Sequence, residues 1–164
     1  MAFGTLQFNL GIIVQDIGLD GDVTAGLIAL TSVSMVLGKL FFGVMGDRVD
    51  HRKLYWVANA ATIVAVLLIM NAQSLEVLVI ATFATGISGG GILPLMGLMY
   101  SYRFGVASFG RVMGFGMLTI MAGAISPIGA GWVYDLYGSY SYAFIALIII
   151  MLPSGIAMAW LRER

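Results

Sequence analysis

Residues 77–100 read VLVIATFATGISGGGILPLMGLMY, a run of 24 residues without a charged side chain. About 20 mostly apolar residues in a helix cross the roughly 30 Å hydrocarbon core of a bilayer, since each adds about 1.5 Å. The run therefore predicts a transmembrane helix. Four more stretches meet this criterion, at residues 24–46, 54–72, 112–134 and 142–161. An apolar stretch at residues 1–15 would reach only about 22 Å and predicts a truncated helix.

The composition of the whole chain indicates lipid as the main solvent. Of the 164 residues 60% are hydrophobic and 10% are charged, with a mean hydropathy of +1.00, which leaves too few polar side chains for a water-facing surface. The zero net charge gives no indication of a nucleic-acid partner. The absence of cysteine excludes disulfides and thiolate metal sites. We predict an all-α integral membrane protein without a cofactor or metal.

The charged residues predict the orientation of the helices. Threading the chain back and forth puts all eight basic residues on one side: Lys39, Arg48, Arg52, Lys53, Arg103, Arg111, Arg162 and Arg164. Five acids fall on the other side: Asp16, Asp20, Asp22, Glu76 and Asp135. Basic residues favour the cytoplasmic side of a membrane. We therefore expect a multi-pass protein of the inner or plasma membrane with a cytoplasmic C-terminus.

The six stretches divide into two sets of three. If the first stretch runs outward, the second set starts on the opposite side, which gives the two triplets inverted topology. Such 3+3 repeats are typical of secondary transporters. A helix bundle in water is disfavoured, because these helices are apolar on all sides.

Residues 43–53, GVMGDRVDHRK, form the first basic loop. The loop resembles the signature Gly-x-Leu-Ala-Asp-Arg-x-Gly-Arg-Arg/Lys of the major facilitator superfamily. The matching residues are Gly43, Asp47, Arg48 and Arg52, while Gly46, Asp50 and His51 differ from the signature. The resemblance implies a gate in which Asp47 and the basic residues pair with a neighbouring helix end in one state and release it in another. A plain basic anchor at the membrane surface is the alternative.

Residues 122–140, AGAISPIGAGWVYDLYGSY, supply a second motif. Spacings of four predict a single small-residue helix face, made of Ala122, Ser126 and Ala130. Pro127 should bend this helix, since it lacks a backbone donor. The segment resembles the penultimate helix of the same superfamily, at Pro127, Gly131, Asp135, Gly138, Ser139 and Tyr140. The resemblance implies that residues 1–164 are the C-terminal six-helix half of a twelve-helix transporter whose N-terminal half is absent.

Within the superfamily, residues 104–111 and the Gly-Ser-Tyr loop resemble the monocarboxylate and oxalate-formate branch. That branch places a cation in the second helix of this half to hold the substrate carboxylate, and alignment on Gly43 gives Lys39 this role. An acid often stands four residues earlier, where this chain has Met35. Lys39 lies about 12 Å deeper than Asp47, so it either faces a central cavity or extends its ammonium to the headgroups.

Other polar residues within the spans are further candidates for solute contact. Four glycines and Pro94 surround Ser88, and a local helix break there would expose carbonyls or the hydroxyl to a solute. A flexible gating helix without solute contact is the alternative. Gln7, Asn9 and Gln15 are candidates in the first helix, although each also suits a bridge between helices.

We expect secondary active transport of a small solute by alternating access, and the expected solute is an organic anion such as a monocarboxylate. A membrane enzyme is disfavoured, because the predicted spans contain no histidine, cysteine, aspartate or glutamate. A truncated, non-transporting or regulatory fragment is the alternative, since the superfamily builds its substrate site between two halves. The expected partners are therefore the solute, the lipid bilayer, and either a missing N-terminal half or a second copy.

Overall fold

A computed structural model describes residues 1–160. In this range the chain forms α1 (Ala2–Asp16), α2 (Gly21–Gly46), α3 (His51–Met70), α4 (Leu75–Phe104), α5 (Phe109–Gly123), α6 (Ser126–Tyr137) and α7 (Ser141–Trp160). Five segments are long and apolar enough to cross a membrane: Gly21–Gly46, His51–Met70, Leu75–Phe104, Val106–Tyr137 and Ser141–Met158. The predicted all-α membrane fold is confirmed, and the short first helix is the 15-residue α1.

The turns between helices gather at two ends of the bundle. The α2–α3 and α4–α5 turns meet at one end, where the rings of His51 and Tyr102 are 5.4 Å apart. This basic end carries Arg48, Arg52, Lys53, Arg103 and Arg111. The α1–α2, α3–α4 and α6–α7 turns form the acidic end, where the Tyr134 hydroxyl donates to the Asp16 carboxylate over 2.8 Å. Arg162 and Arg164, also predicted for the basic side, lie outside the described residues.

Glycines allow the backbones of α2 and α4 to contact each other directly. A Cβ atom added to Gly86 would lie 2.6 Å from Ser34 Cβ and 2.7 Å from the Thr31 carbonyl oxygen. Added Cβ atoms on Gly38 and Gly90 would likewise meet the backbones of Ile87 and Met35. Small residues permit this approach in lipid, where van der Waals contact largely drives helix association.

Of the two alternatives for the region around Ser88, the structure does not contain the local helix break. Helix α4 runs unbroken from Leu75 to Phe104 and contains Pro94 in its interior. Helices α2 and α3 pack along α4, which is the most buried of the five spans. This packing on two sides outweighs the loss of one backbone hydrogen bond at the proline.

The predicted span at residues 112–134 is confirmed as part of the span Val106–Tyr137. Within it the helix is interrupted, because α5 ends at Gly123 and α6 begins at Ser126. Pro127 has no N–H for the Gly123 carbonyl and its ring crowds that group. The Ser126 hydroxyl donates to the same carbonyl over 2.7 Å and so replaces the missing backbone donor. Because of the break, residues spaced four apart across it no longer lie on one helix face. The expected shared face is therefore wrong: Ala122 is exposed on α5, while Ala130 is buried on α6.

The two sets of three helices interleave rather than form separate bundles. The most extensive packing joins α4 to both α2 and α3, and further contacts join α1 to α6 and α3 to α7. A core cluster of Leu6, Leu10, Leu78, Ala130 and Phe144 draws on residues from both sets. Each triplet consequently covers apolar surface that the other one leaves exposed.

Candidate solute-binding and gating residues

Lys39 is the one Asp, Glu, Lys, Arg or His in the described helices that lies more than one turn from a helix end. It stands seven residues before the end of α2, about 10 Å from the basic end at 1.5 Å per residue. Its side chain is exposed, and it makes no hydrogen bond or ion pair within the part of the chain that the structure describes. The flanking Gly38 faces α4 instead. The ammonium is therefore available to a ligand from outside this bundle.

Gln7 is half-buried on α1, on the same flank as Gly11. A Cβ on Gly11 would lie 3.7 Å from Thr24 Cγ2, which fixes the level at which the antiparallel α1 and α2 meet. Gln7 consequently lies near the level of residue 28, eleven residues or about 16 Å from Lys39. The two side chains are thus too far apart in depth to hold one small group together. Gln15, the other glutamine of α1, is exposed near the acidic end.

Asn9 is buried, and both ends of its amide are occupied. Its Nδ2 donates to the Thr5 carbonyl over 2.9 Å, and its Oδ1 accepts from the Tyr140 hydroxyl over 2.9 Å. Burial raises the pKa of Tyr140 to about 12, so this hydroxyl keeps its proton and donates throughout the neutral range. In this conformation Asn9 joins α1 to the turn before α7, and because it is buried its amide is closed to a solute.

The Tyr140 ring belongs to a stack of aromatic side chains at the acidic end. It lies 4.5 Å from the ring of Tyr134 and 5.7 Å from that of Phe144, centroid to centroid. Tyr134 in turn donates to Asp16, the last residue of α1. Two tyrosine hydroxyls therefore tie α1 to α6 and to the α6–α7 turn. In the sequence Tyr140 was recognisable only as part of the Gly-Ser-Tyr motif, and no pattern there indicates its hydrogen bond.

Buried hydroxyls line the α2–α4 contact. Most of them donate to a carbonyl of their own helix: Thr31 to Leu27, Ser34 to Leu30, Thr85 to Ala81 and Ser88 to Thr85. Ser88 is 2% exposed, so its hydroxyl is closed to a solute in this conformation. Thr82 is buried as well, and its Oγ1 is the one buried side-chain oxygen without a hydrogen-bond partner among the described residues.

The α2–α3 turn forms without a glycine. Arg48 and Val49 both donate their N–H groups to the Met45 carbonyl, and no residue of the turn has a positive φ. Asp50, where the signature has glycine, is the N-cap of α3 and accepts from the Arg52 N–H over 2.8 Å. Asp47 and Arg48 are exposed and form no ion pair with the described residues. Asp47, the acid of the predicted gate, therefore has no ion-pair partner among the described residues in this conformation.

The remaining residues of the two family motifs lie either at contacts between helices or on the open surface. Gly46 contacts Leu98 of α4, whereas a side chain at Gly43 would meet open space. Pro127 contacts α1, since a Cβ on Gly4 would lie 3.7 Å from its Cγ. Gly131 has open space beside it.

A cavity of about 150 Å³ opens at the acidic end. Its walls come from the end of α1, the end of α3 and the α6–α7 turn, and they include Asp16, Ser139, Tyr140 and Phe144. The cavity is at the opposite end of the bundle from Lys39. Within the described residues no group of three or more His, Cys, Asp or Glu side chains could hold a metal ion.

Comparison with known proteins places this bundle in a family. The family model of the Major Facilitator Superfamily matches residues 1–164. The multi-drug resistance efflux pump PmrA of Streptococcus pneumoniae is 25% identical over 146 residues, which are 88% of this chain and 33% of that protein. Monocarboxylate transporter 13 of Rattus norvegicus is 26% identical over 138 residues, 80% of this chain and 32% of that protein.

A further relative is an MFS-type transporter of Aspergillus fumigatus, 26% identical over 132 residues, which are 79% of this chain and 30% of that protein. The chain thus spans about a third of the length of the relatives that it matches. No solved structure gives a significant match. The match of the family model over the whole chain, together with the helical membrane fold, shows that this chain belongs to the Major Facilitator Superfamily, a family of membrane transporters.

Proposed function

We propose that this chain forms one wall of a secondary active transporter that moves a small organic anion, such as a monocarboxylate, by alternating access. The observation that carries the proposal is Lys39, a deep, exposed cation that is unpaired within the described residues. A charge at such a depth is costly in lipid and is generally found facing a water-filled cavity or a partner. A carboxylate is the simplest partner for an ammonium.

The second wall comes from another six-helix half, in the same polypeptide or in a second copy. The Val106–Tyr137 span supports this requirement, since it is the least buried of the five spans. Large side chains of the span that point away from the bundle include Phe115, Met121, Ile128 and Trp132, each 65–73% exposed. A truncated chain without such a partner would offer Lys39 to only half of a cavity.

The exposed acid of the α2–α3 turn suits a gate at the basic end. Asp47 is free of ion pairs with the described residues here, so pairing with another helix end would stabilise a different conformation. We place this end in the cytoplasm, in an inner or plasma membrane, because basic loops favour that side. Gln7 contributes to the cavity wall at a level distinct from that of Lys39.

Transport assays in proteoliposomes test the proposal. Reconstituted together with a second six-helix half, the chain should exchange a labelled monocarboxylate, and unlabelled monocarboxylates should compete, whereas organic cations of similar size should not. Saturable uptake of cationic drugs with no competition by carboxylates would contradict the anion assignment while leaving the transporter fold unaffected.

A further inference from the structure

The turn between α4 and α5 exposes apolar side chains at the basic end. Tyr102 is 75% exposed, Phe104 is 52% exposed and Val106 is 85% exposed. Gly105, with φ of 74°, ends α4 and redirects the chain into a single turn of 3-10 helix at Val106–Ser108. A side chain at this φ would be strained, so the glycine keeps the turn compact and Val106 outermost.

Two arginines flank these apolar residues without any acid close to them in the sequence. Arg103 and Arg111 are both exposed. From residue 77 to residue 134 the chain contains no aspartate or glutamate, so these arginines are the whole charge of that segment. Among the described residues, the acids at this end are Asp47 and Asp50 of the α2–α3 turn, and Asp50 is engaged in capping α3. The α4–α5 turn is therefore both cationic and apolar.

The length of α4 puts this turn at the depth of the lipid headgroups. Its 30 residues extend about 45 Å. A bilayer including its headgroups is about 40–45 Å thick. If α4 begins at one interface, its last residues consequently reach the other interface rather than bulk water. Aromatic residues are enriched at that level, and arginine pairs with phosphate through parallel hydrogen bonds.

We propose that residues 102–111 dock on an anionic lipid surface, with Phe104 and Val106 inserted among the headgroups and both arginines bound to lipid phosphates. Anionic lipid supplies the two things that this turn lacks in the described structure, which are negative charge for Arg103 and Arg111 and cover for exposed apolar surface. The docked turn would fix the ends of α4 and α5 at the membrane surface. Lipid composition would then influence any movement of α5.

Fluorescence quenching in nanodiscs tests this docking. A bimane label on Val106→Cys would be read in discs of phosphatidylcholine alone and in discs that also contain phosphatidylglycerol. Phosphatidylglycerol should increase quenching by lipids brominated near the headgroup and decrease quenching by iodide in the water. A label on Gln73→Cys, in the exposed α3–α4 turn at the acidic end, is the matched control and should not respond to phosphatidylglycerol.

The arginines should account for the response. Each basic residue near an anionic surface strengthens binding to that surface about fivefold. For Arg103→Gln or Arg111→Gln, the ratio of membrane-inserted to water-exposed label should therefore fall about fivefold. Both substitutions are on exposed side chains, and the unchanged Gln73 signal would verify that the fold is intact. A Val106 label that stays open to iodide in both lipids would overturn the proposal. Shielding from both quenchers would overturn it too, since that result indicates a protein partner.

Discussion

The Tyr140 hydroxyl donates to Asn9 Oδ1 over 2.9 Å and so joins two residues that are 131 positions apart in the chain. Asn9 is on α1, and Tyr140 immediately precedes α7. Both residues are buried, so water does not compete for the bond. The contact couples the short first helix to the opposite end of the sequence, next to the Tyr134–Asp16 bond.

Removing this hydroxyl should destabilise the bundle at its acidic end. Tyr140→Phe keeps the ring and its stacking but leaves Asn9 Oδ1 buried without a donor. We expect a loss of about 1 kcal/mol, since hydrogen bonds between membrane helices contribute about 0.6 to 2 kcal/mol. Thermal unfolding in detergent measures the loss. Tyr142→Phe is the control, because Tyr142 is 60% exposed and its hydroxyl has no partner among the described residues.

The same tyrosine predicts a dependence of stability on high pH. Burial raises the pKa of Tyr140 to about 12, above the ordinary value of about 10. The folded state therefore keeps a proton that the unfolded state loses, so the contribution of Tyr140 is complete below about pH 10 and is lost as the pH rises through about 12. Tyr140→Phe should weaken the fall in melting temperature over this window. An identical fall in both proteins would contradict the assignment.

Backbone contact between α2 and α4 makes Gly90 intolerant of a side chain. A Cβ atom there would overlap the Met35 carbonyl, which belongs to a helix backbone and cannot rotate away. Gly90→Ala should cost about 1 to 3 kcal/mol through overpacking. Gly97→Ala in the same helix meets nothing within 4 Å and should be neutral or stabilising by up to about 1 kcal/mol. Equal melting temperatures for the two variants would disprove this close approach.

The sequence predicts the spans and the two charged ends well, because both are local properties. Hydrophobic length determines the spans, and the lysines and arginines identify one end whatever the side-chain packing. Pro94 and Pro127 show where local reasoning fails. Pro94 lies in an unbroken helix, whereas the helix before Pro127 ends at Gly123. The difference depends on neighbours, since α4 is packed on two sides and α5 is largely exposed.

Candidate site residues were also hard to judge from sequence alone. Asn9 and Lys39 are both polar residues in an apolar helix, yet Asn9 is 6% exposed and bonded to Tyr140 while Lys39 is exposed. The partner of Asn9 comes from a turn far along the chain, and no pattern in the first helix indicates it. The role of Lys39 was assigned from its position relative to Gly43 in a family resemblance, and it stays a prediction.

The break between α5 and α6 should depend on Pro127. Pro127→Ala restores an N–H for the Gly123 carbonyl and allows one continuous helix. Spin labels at Phe115 and Trp132, both strongly exposed, would then separate towards about 26 Å, the length of 17 residues in a straight helix. Pulsed electron paramagnetic resonance should find a shorter distance between the labels in the protein that retains Pro127. If the distance does not change, packing of Ala130 against α1 maintains the break instead of the proline.

The predicted topology can be measured by labelling. A cysteine in place of His51 lies at the start of α3, at the end of the bundle that we assign to the cytoplasm, and a cysteine in place of Gln73 lies at the opposite end. An impermeant maleimide applied to intact cells should modify the second and leave the first unmodified until the membrane is opened. The reverse pattern would place the basic end outside and defeat the proposed orientation.

Substitutions of Lys39 test the solute assignment most directly. If the ammonium binds a carboxylate, Lys39→Gln removes one charge-assisted hydrogen bond from a site partly shielded from water. Such bonds contribute about 1.5 to 3 kcal/mol, and each 1.4 kcal/mol is a factor of ten. Affinity for the anion should therefore fall roughly tenfold to a hundredfold. Lys39→Arg should retain part of the affinity, since the charge is kept while the planar guanidinium differs in shape from an ammonium.

An ammonium that instead reaches the headgroups gives a different result. Lys39→Gln would then change insertion or abundance slightly and leave the affinity of inserted protein unchanged, because no solute contact is lost. Lys53→Gln is a suitable control, as Lys53 is an exposed basic residue in the first turn of α3 with no proposed solute contact. Uptake normalised to the protein in the membrane separates the two roles. An unchanged affinity for the anion in Lys39→Gln would exclude solute binding by this residue.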